Sequence, residues 1–166
     1  SYYKFDDYWP LTIDRWPLTY DYWLLTVNDA QEKRDGQQST VNGQKSTAMN
    51  IEQFREYCLA KKGASEDFPF DEVTLCLRVM GKIYALTGLD SEHFTVNLKC
   101  DPDYAIELRE QYPEVQPGWH MNKKHWNTVD FEGGLDGQTL RHLVDHSYDQ
   151  VVKTLKKAEK EALKAL

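Results

Sequence analysis

The chain has 166 residues, 40% of them apolar and 28% charged, with 20 basic against 27 acidic side chains and a net charge of −7. A length of this order holds one domain with room for an appendage, and the composition is that of an ordinary globular chain. The acidic balance disfavours a purely electrostatic nucleic-acid binder, although a local basic patch can oppose the net sign.

No apolar run approaches the roughly 18 residues needed to cross a bilayer, so no membrane partner is expected. The N-terminus lacks a basic stretch followed by an apolar one, which is the pattern of a secretory signal. Cys58, Cys76 and Cys100 are odd in number and show no CxxC spacing, which argues against a disulfide framework and a cysteine zinc site. Buried free thiols in a reducing compartment, the cytoplasm, are the expectation.

Residues 1–27 hold a tandem seven-residue repeat, DYWPLTI, DRWPLTY and DYWLLTV, with Trp9, Trp16 and Trp23 in step. Heptads suggest a coiled coil, but Pro10 and Pro17 oppose a helix at a cost of about 3 kcal/mol each. Residues 28–48 are polar and free of aromatics, a linker composition. Residues 1–48 therefore read as an appendage, either upstream or non-native sequence or a sticky aromatic arm. Residues 49–166 read as the functional domain.

Residues 49–62 form an amphipathic pattern with Ile51, Phe54, Tyr57, Cys58 and Lys61 on one face. Asn50 and Gln53 have capping-box spacing, and Gly63 suits a C′ position. Glu66, Asp67, Asp71 and Glu72 surround Phe68 and Phe70 in what reads as a solvated acidic loop. Residues 73–80, 83–87 and 93–99 alternate as three strands of an antiparallel meander, the first pair joined at Gly81-Lys82. Asp101 and Pro102 open a second helix with Tyr104, Ala105, Leu108 and Tyr112 inward, closed by Pro113. Residues 115–118 read as a short link and 125–131 as a fourth strand, with Trp126, Thr128 and Asp130 on one face. Asp136 caps a last helix carrying Leu140, Leu143, Val144, Tyr148, Val151, Val152 and Leu155, which the lysine-rich tail continues. The fold class is α+β, an antiparallel sheet flanked by helices, in the order α-β-β-β-α-β-α.

Five strings in this order, MNIEQFREYCLAKKG, VMGKIYAL, VNLKCDPDYAIELREQYP, VQPGWHMNKKHWNTV and LRHLVDHSYDQVV, resemble the MmcQ/YjbR family over residues 49–155. Residues 1–48 have no counterpart in that pattern. The resemblance implies a CyaY-like (frataxin-like) fold in a bacterial protein. It also implies a predicted DNA-binding role with a double-wing motif.

The residues themselves offer one dense cluster of cations and aromatics. It comprises Lys82, Lys99, Trp119, His120, Asn122, Lys123, Lys124, His125 and Trp126, where lysines suit phosphates and aromatic rings suit bases. The same residues could instead be core or half-core aromatics among solvated lysines. A second reading makes the cluster the wall of an aromatic pocket for a small molecule or a protein. A third, by analogy with the frataxin-like fold alone, is metal or iron handling by Glu52, Glu56, Glu66, Asp67, Asp71 and Glu72.

His142 and His146 share a helix face at i, i+4, but in HLVDH rather than HExxH, so no metal ligands are assigned. No GxSxG, P-loop, GxGxxG or kinase string is present. Neither a catalytic residue nor a cofactor is therefore expected, and DNA is the expected partner. Nothing in the sequence sets the oligomeric state.

Overall fold

The computed structural model describes residues 49–166; the aromatic repeat and polar linker of residues 1–48 lie outside the described part. The described residues form an α+β layer pair. In chain order the elements are α1 (Ile51–Leu59), β1 (Ala64–Asp67), β2 (Thr74–Val79), β3 (Lys82–Gly88), β4 (Thr95–Lys99), α2 (Pro102–Gln111), β5 (Val115–Pro117), β6 (Trp126–Asp130), α3 (Gly137–Lys153) and α4 (Lys157–Ala165). The six strands make one sheet in the order β1-β2-β3-β4-β6-β5, with every neighbouring pair antiparallel. The antiparallel sheet with flanking helices is the expected class, with two further strands and a divided last helix.

Local chemistry explains most of the element ends. The Asn50 side chain accepts from Gln53 N at 2.8 Å, and Gln53 returns the bond to Asn50 N, so the expected capping box closes. Asp101 and Asp136 cap α2 and α3, each accepting two backbone N–H groups. Met80 (φ 49°) and Gly81 (φ 80°) are the two left-handed residues of the β2–β3 turn. Positive φ at both central residues is the type I′ pattern of a two-residue hairpin, so the turn falls one residue earlier than the sequence reading placed it.

Four expectations change. Helix α1 stops at Leu59 rather than near residue 62, so Gly63 is not its C′ residue. Gly63 (φ 65°) instead turns the chain into β1, and a Cβ there would lie 2.5 Å from Leu163 of α4. The acidic run is not wholly a loop, because Ala64–Asp67 pairs with β2 as an edge strand. Its acids are held, Glu66 by Arg55 and Asp67 by Arg78, and charge on an edge strand opposes pairing with other chains. Residues 115–117 are likewise an edge strand, β5, paired with β6. Finally, the tail is a separate helix. The chain leaves α3 at Thr154, and Lys156 turns extended with its N–H donating to Glu159 Oε2 at 2.6 Å.

Helices α1, α2 and α3 cover one face of the sheet. Phe54 of α1 meets Phe94 and Phe131 edge to face, at centroid distances of 5.8 and 5.4 Å. Tyr84 of β3 donates to the Cys58 carbonyl at 3.0 Å and packs on Tyr148 of α3. Leu75, Leu77, Val79, Val96, Leu98, Leu140, Val144 and Val151 complete a core in which each is at most 2% exposed. The three cysteines are buried free thiols, each pushed up to about 12 chiefly by burial. Among the described residues, no helix is long and apolar enough to cross a membrane.

Candidate functional site

The connection 118–125 between β5 and β6 carries most of the expected cluster. It leaves the sheet at Gly118, whose N–H donates to the Trp126 carbonyl at 2.8 Å. It returns through a tight turn in which the Asn122 carbonyl accepts from His125 N and Trp126 N, both at 3.0 Å, while Asn122 Oδ1 accepts from Lys124 N. Such Asx bonding lets a short polar loop satisfy its own backbone. His120 is left-handed (φ 53°), a conformation uncommon for a residue with a Cβ.

The alternation of β6 decides which side chains meet. Asn127 and Val129 face the helices, while Trp126, Thr128 and Asp130 face the other side, opposite Lys99, Asn97 and Thr95 of β4. On that open face Thr128 is the anchor. Its hydroxyl accepts from Trp119 N at 2.9 Å and donates to Asn97 Oδ1 at 2.6 Å. The Trp119 backbone is thereby tied to the open face, and the indole remains 39% exposed. His120 stands beside it, ring centroids 4.7 Å apart and nearly perpendicular.

Trp126 behaves differently. It is only 3% exposed and lies under Lys99, whose Nζ is 5.8 Å from its ring centroid. This Trp is a floor of the site, not a surface for a ligand. Asn122, Lys123 and Lys124 are exposed and His125 is half-buried.

Lys82 is not brought to the loop. It pairs with core residue Val79, its Nζ donates to the Thr154 carbonyl at the end of α3 at 2.9 Å, and it stands 4.0 Å from Glu159. A cation at a helix C-terminus offsets the carbonyls that have no partner inside the helix. Lys62 and Lys160 do the same for Lys164 O and Lys153 O.

Sequence reasoning missed Arg109. This α2 residue donates Nε to Asn127 Oδ1 at 2.8 Å, and its NH2 reaches Lys123 O at 2.5 Å and Trp126 O at 3.2 Å. One guanidinium thus pins the loop and β6 to α2. The available signal was spacing, since Arg109 lies four residues after Ala105 and beside Leu108, at the margin of an apolar stripe.

The other candidate chemistries are occupied by structural roles. His146 Nε2 accepts from Asp101 N at 3.1 Å, and its ring meets Tyr104 edge to face. Burial pushes its pKa below the usual imidazole range. In the acidic run, Arg55 lowers the Glu66 pKa, and Asp71 is lowered by bonds from Thr74 and Val73. Among the described residues, no group of three His, Cys, Asp or Glu side chains is placed to hold a metal ion. A cavity between β4, β6, α2 and α3, lined by Leu98, Leu108, Val129, Leu143 and His146, measures about 10 Å³. That is about the space of one water, and neither Trp119 nor Trp126 lines it.

The YjbR family model matches residues 59–150, from the end of α1 into α3. YjbR of Escherichia coli K12 is 34% identical over 115 residues, spanning 69% of this chain and 98% of that one. The chain belongs to the YjbR family. YyaQ of Bacillus subtilis is 28% identical over 102 residues, which cover 53% of this chain and 86% of that one. A Deinococcus radiodurans protein with a DUF419 domain has a similar crystal structure, with a TM-score of 0.67 and 36% identity across 71% of this chain and 91% of that one. A Pseudomonas syringae protein matches with a TM-score of 0.53 and 28% identity across 61% of this chain and 98% of that one. The YjbR match includes β5, the 118–125 loop and β6, so the loop is part of the family's domain.

Proposed function

We propose that this YjbR-family protein is a DNA-binding protein that engages the phosphate backbone weakly through the 118–125 loop. The observation that carries the reading is the loop itself. It presents exposed Lys123 and Lys124 beside exposed Trp119 and His120 on a frame fixed by Arg109 and Thr128. Lysines supply phosphate contacts and displace counterions, and a stiff frame lowers the ordering cost of binding. The net charge of −7 limits the number of such contacts and therefore the affinity.

The revised surface is Lys99, Trp119, His120, Asn122, Lys123 and Lys124, with His125 and Trp126 as its frame. Lys82 does not belong to it. The test is fluorescence anisotropy with labelled DNA at two salt concentrations, using the full chain and a Lys123→Ala/Lys124→Ala variant. Binding should fall as salt rises, and the variant should lose about one unit of salt slope per lost contact. Unchanged affinity in the variant would remove the assignment of this surface.

A further inference from the structure

We infer that the nucleic acid taken by this loop is single-stranded, with an unpaired base stacked on Trp119; the inference rests on the DNA-binding reading of the same loop. Three features on and around the loop favour one strand over two.

The first is charge. The chain is acidic, with a net charge of −7. A duplex brings two strands of phosphates to this acidic chain, and a single strand brings one. A single strand can keep to the open face of the sheet, where Asn97 and Thr128 pair beside Lys99 and Trp126, and Thr128 holds the Trp119 backbone.

The second is the shape of the loop. Groove reading uses an inserted helix or a projecting two-stranded ribbon. The 118–125 connection is neither, because Gly118, Lys123 and Trp126 are each hydrogen-bonded back to the body or to β6. It makes a low rim, suited to a backbone that drapes across it.

The third is the aromatic pair. Trp119 is anchored through its own N–H to Thr128, and His120 stands edge to face against its ring. The indole is thus exposed while its backbone is fixed. Taking a paired base out of a duplex costs about as much as one aromatic stack returns. Trp119 therefore adds affinity only for a base that is already unpaired.

The test uses the full chain with three labelled probes of equal length: oligo-dT, oligo-rU and a blunt duplex DNA. Affinities are read by anisotropy at two salt concentrations for wild type, Trp119→Ala and Trp119→Phe, with circular dichroism confirming that each variant is folded. Oligo-dT should bind at least tenfold more tightly than the duplex. Trp119→Ala should lose roughly tenfold for oligo-dT, Trp119→Phe should retain most of the affinity, and duplex affinity should not change in either. Equal binding of oligo-dT and oligo-rU would assign the contact to base and phosphate; a preference for one would add the sugar or the thymine methyl to what is recognised, both within the single-strand inference. Duplex binding as tight as oligo-dT, or oligo-dT binding indifferent to Trp119→Ala, would overturn the single-strand inference while leaving the DNA-binding reading intact. Failure of all three probes to bind at low salt would overturn both.

Discussion

Arg109 and Asn127 join the helical layer to the strand that ends the candidate site. Arg109 Nε donates to Asn127 Oδ1 at 2.8 Å, and the same guanidinium reaches the carbonyls of Lys123 and Trp126. Asn127 is 2% exposed, so its oxygen has no water to replace the arginine. Lysine cannot reproduce this three-acceptor fork, even though it keeps the charge. Arg109→Lys should lower stability by about 1–3 kcal/mol and speed amide hydrogen exchange across residues 118–126. The melting temperature and a hydrogen-exchange map check both effects. A variant with unaltered exchange in the loop would show that Arg109 does not pin it.

Ser147 plays a matching part between α3 and the sheet. It is fully buried, its hydroxyl donates to the Tyr84 carbonyl, and it accepts from Lys99 N at 2.7 Å. The two bonded groups lie on β3 and β4. Tyr84 is the extra residue where the β2–β3 register shifts, since Leu77 pairs with Ala85 and Arg78 with Ile83. The ladder is interrupted at such a bulge, and the serine accepts from one strand and donates to the other. Ser147→Ala removes two hydrogen bonds between α3 and the sheet at a fully buried position, at a cost of about 1–3 kcal/mol. Denaturant unfolding should show this as a lower midpoint at unchanged slope.

The helices and central strands were legible because short-range chemistry writes them. Asn50, Asp101 and Asp136 cap where their side chains predict, and Trp126, Thr128 and Asp130 alternate with Asn127 and Val129 as expected. The edge strands β1 and β5 were not legible. Each is at most four residues long, and β1 is polar, so partners on β2 and β6 decide the pairing. The site was half legible for the same reason. Loop residues 119–125 are neighbours in sequence, whereas Arg109 and Thr128 reach them only through the fold, and Lys82 is drawn to a carbonyl 72 residues away.

Two titrating groups give stability a pH dependence of opposite sign. Burial is the largest influence on His146 and lowers its pKa in the folded state. Tyr104, His142, Asp101, Asp149, Gln150 and Lys153 surround it from α2 and α3. As pH falls through about 6.5, the unfolded chain takes up a proton that the folded one resists, and stability is lost. His146→Gln keeps an acceptor for Asp101 N without titrating. The melting temperature of wild type should therefore drop more between pH 7.5 and pH 5.5 than that of the variant; equal drops would assign the dependence elsewhere.

Asp130 is shifted the other way. Burial raises its pKa, with Glu132 and Glu114 adding to the effect, while the bond from Glu132 N at 2.9 Å and His93 oppose it. A raised carboxyl pKa means the folded state binds the proton more tightly than the unfolded one. The charged form therefore costs stability at neutral pH, and the cost disappears as pH falls through the folded pKa. Asp130→Asn keeps an acceptor for Glu132 N and removes the buried charge. It should raise the melting temperature at pH 7 by a few degrees, with the gain shrinking in acid. A gain that grows on acidification would contradict the sign of the shift.

Gly118 and Gly81 separate crowding from backbone strain. A Cβ at Gly118 would lie 2.8 Å from Trp126 Cβ and 2.9 Å from the Trp126 carbonyl oxygen, where the two chains are hydrogen-bonded. Neither partner can move without breaking the β5–β6 end and shifting Trp119. A Cβ at Gly81 would meet nothing within 4 Å, and only its φ of 80° opposes a side chain. Gly118→Ala should cost about 1–3 kcal/mol through overpacking and should alter the fluorescence of Trp119. Gly81→Ala should cost about 1–2 kcal/mol of left-handed strain, and Gly81→Asn should recover part of it, because Asn visits that conformation more readily. Thermal melts with tryptophan emission as the probe check both positions. If Gly118→Ala melts like wild type with unchanged emission, the close approach to Trp126 does not set the geometry of the loop.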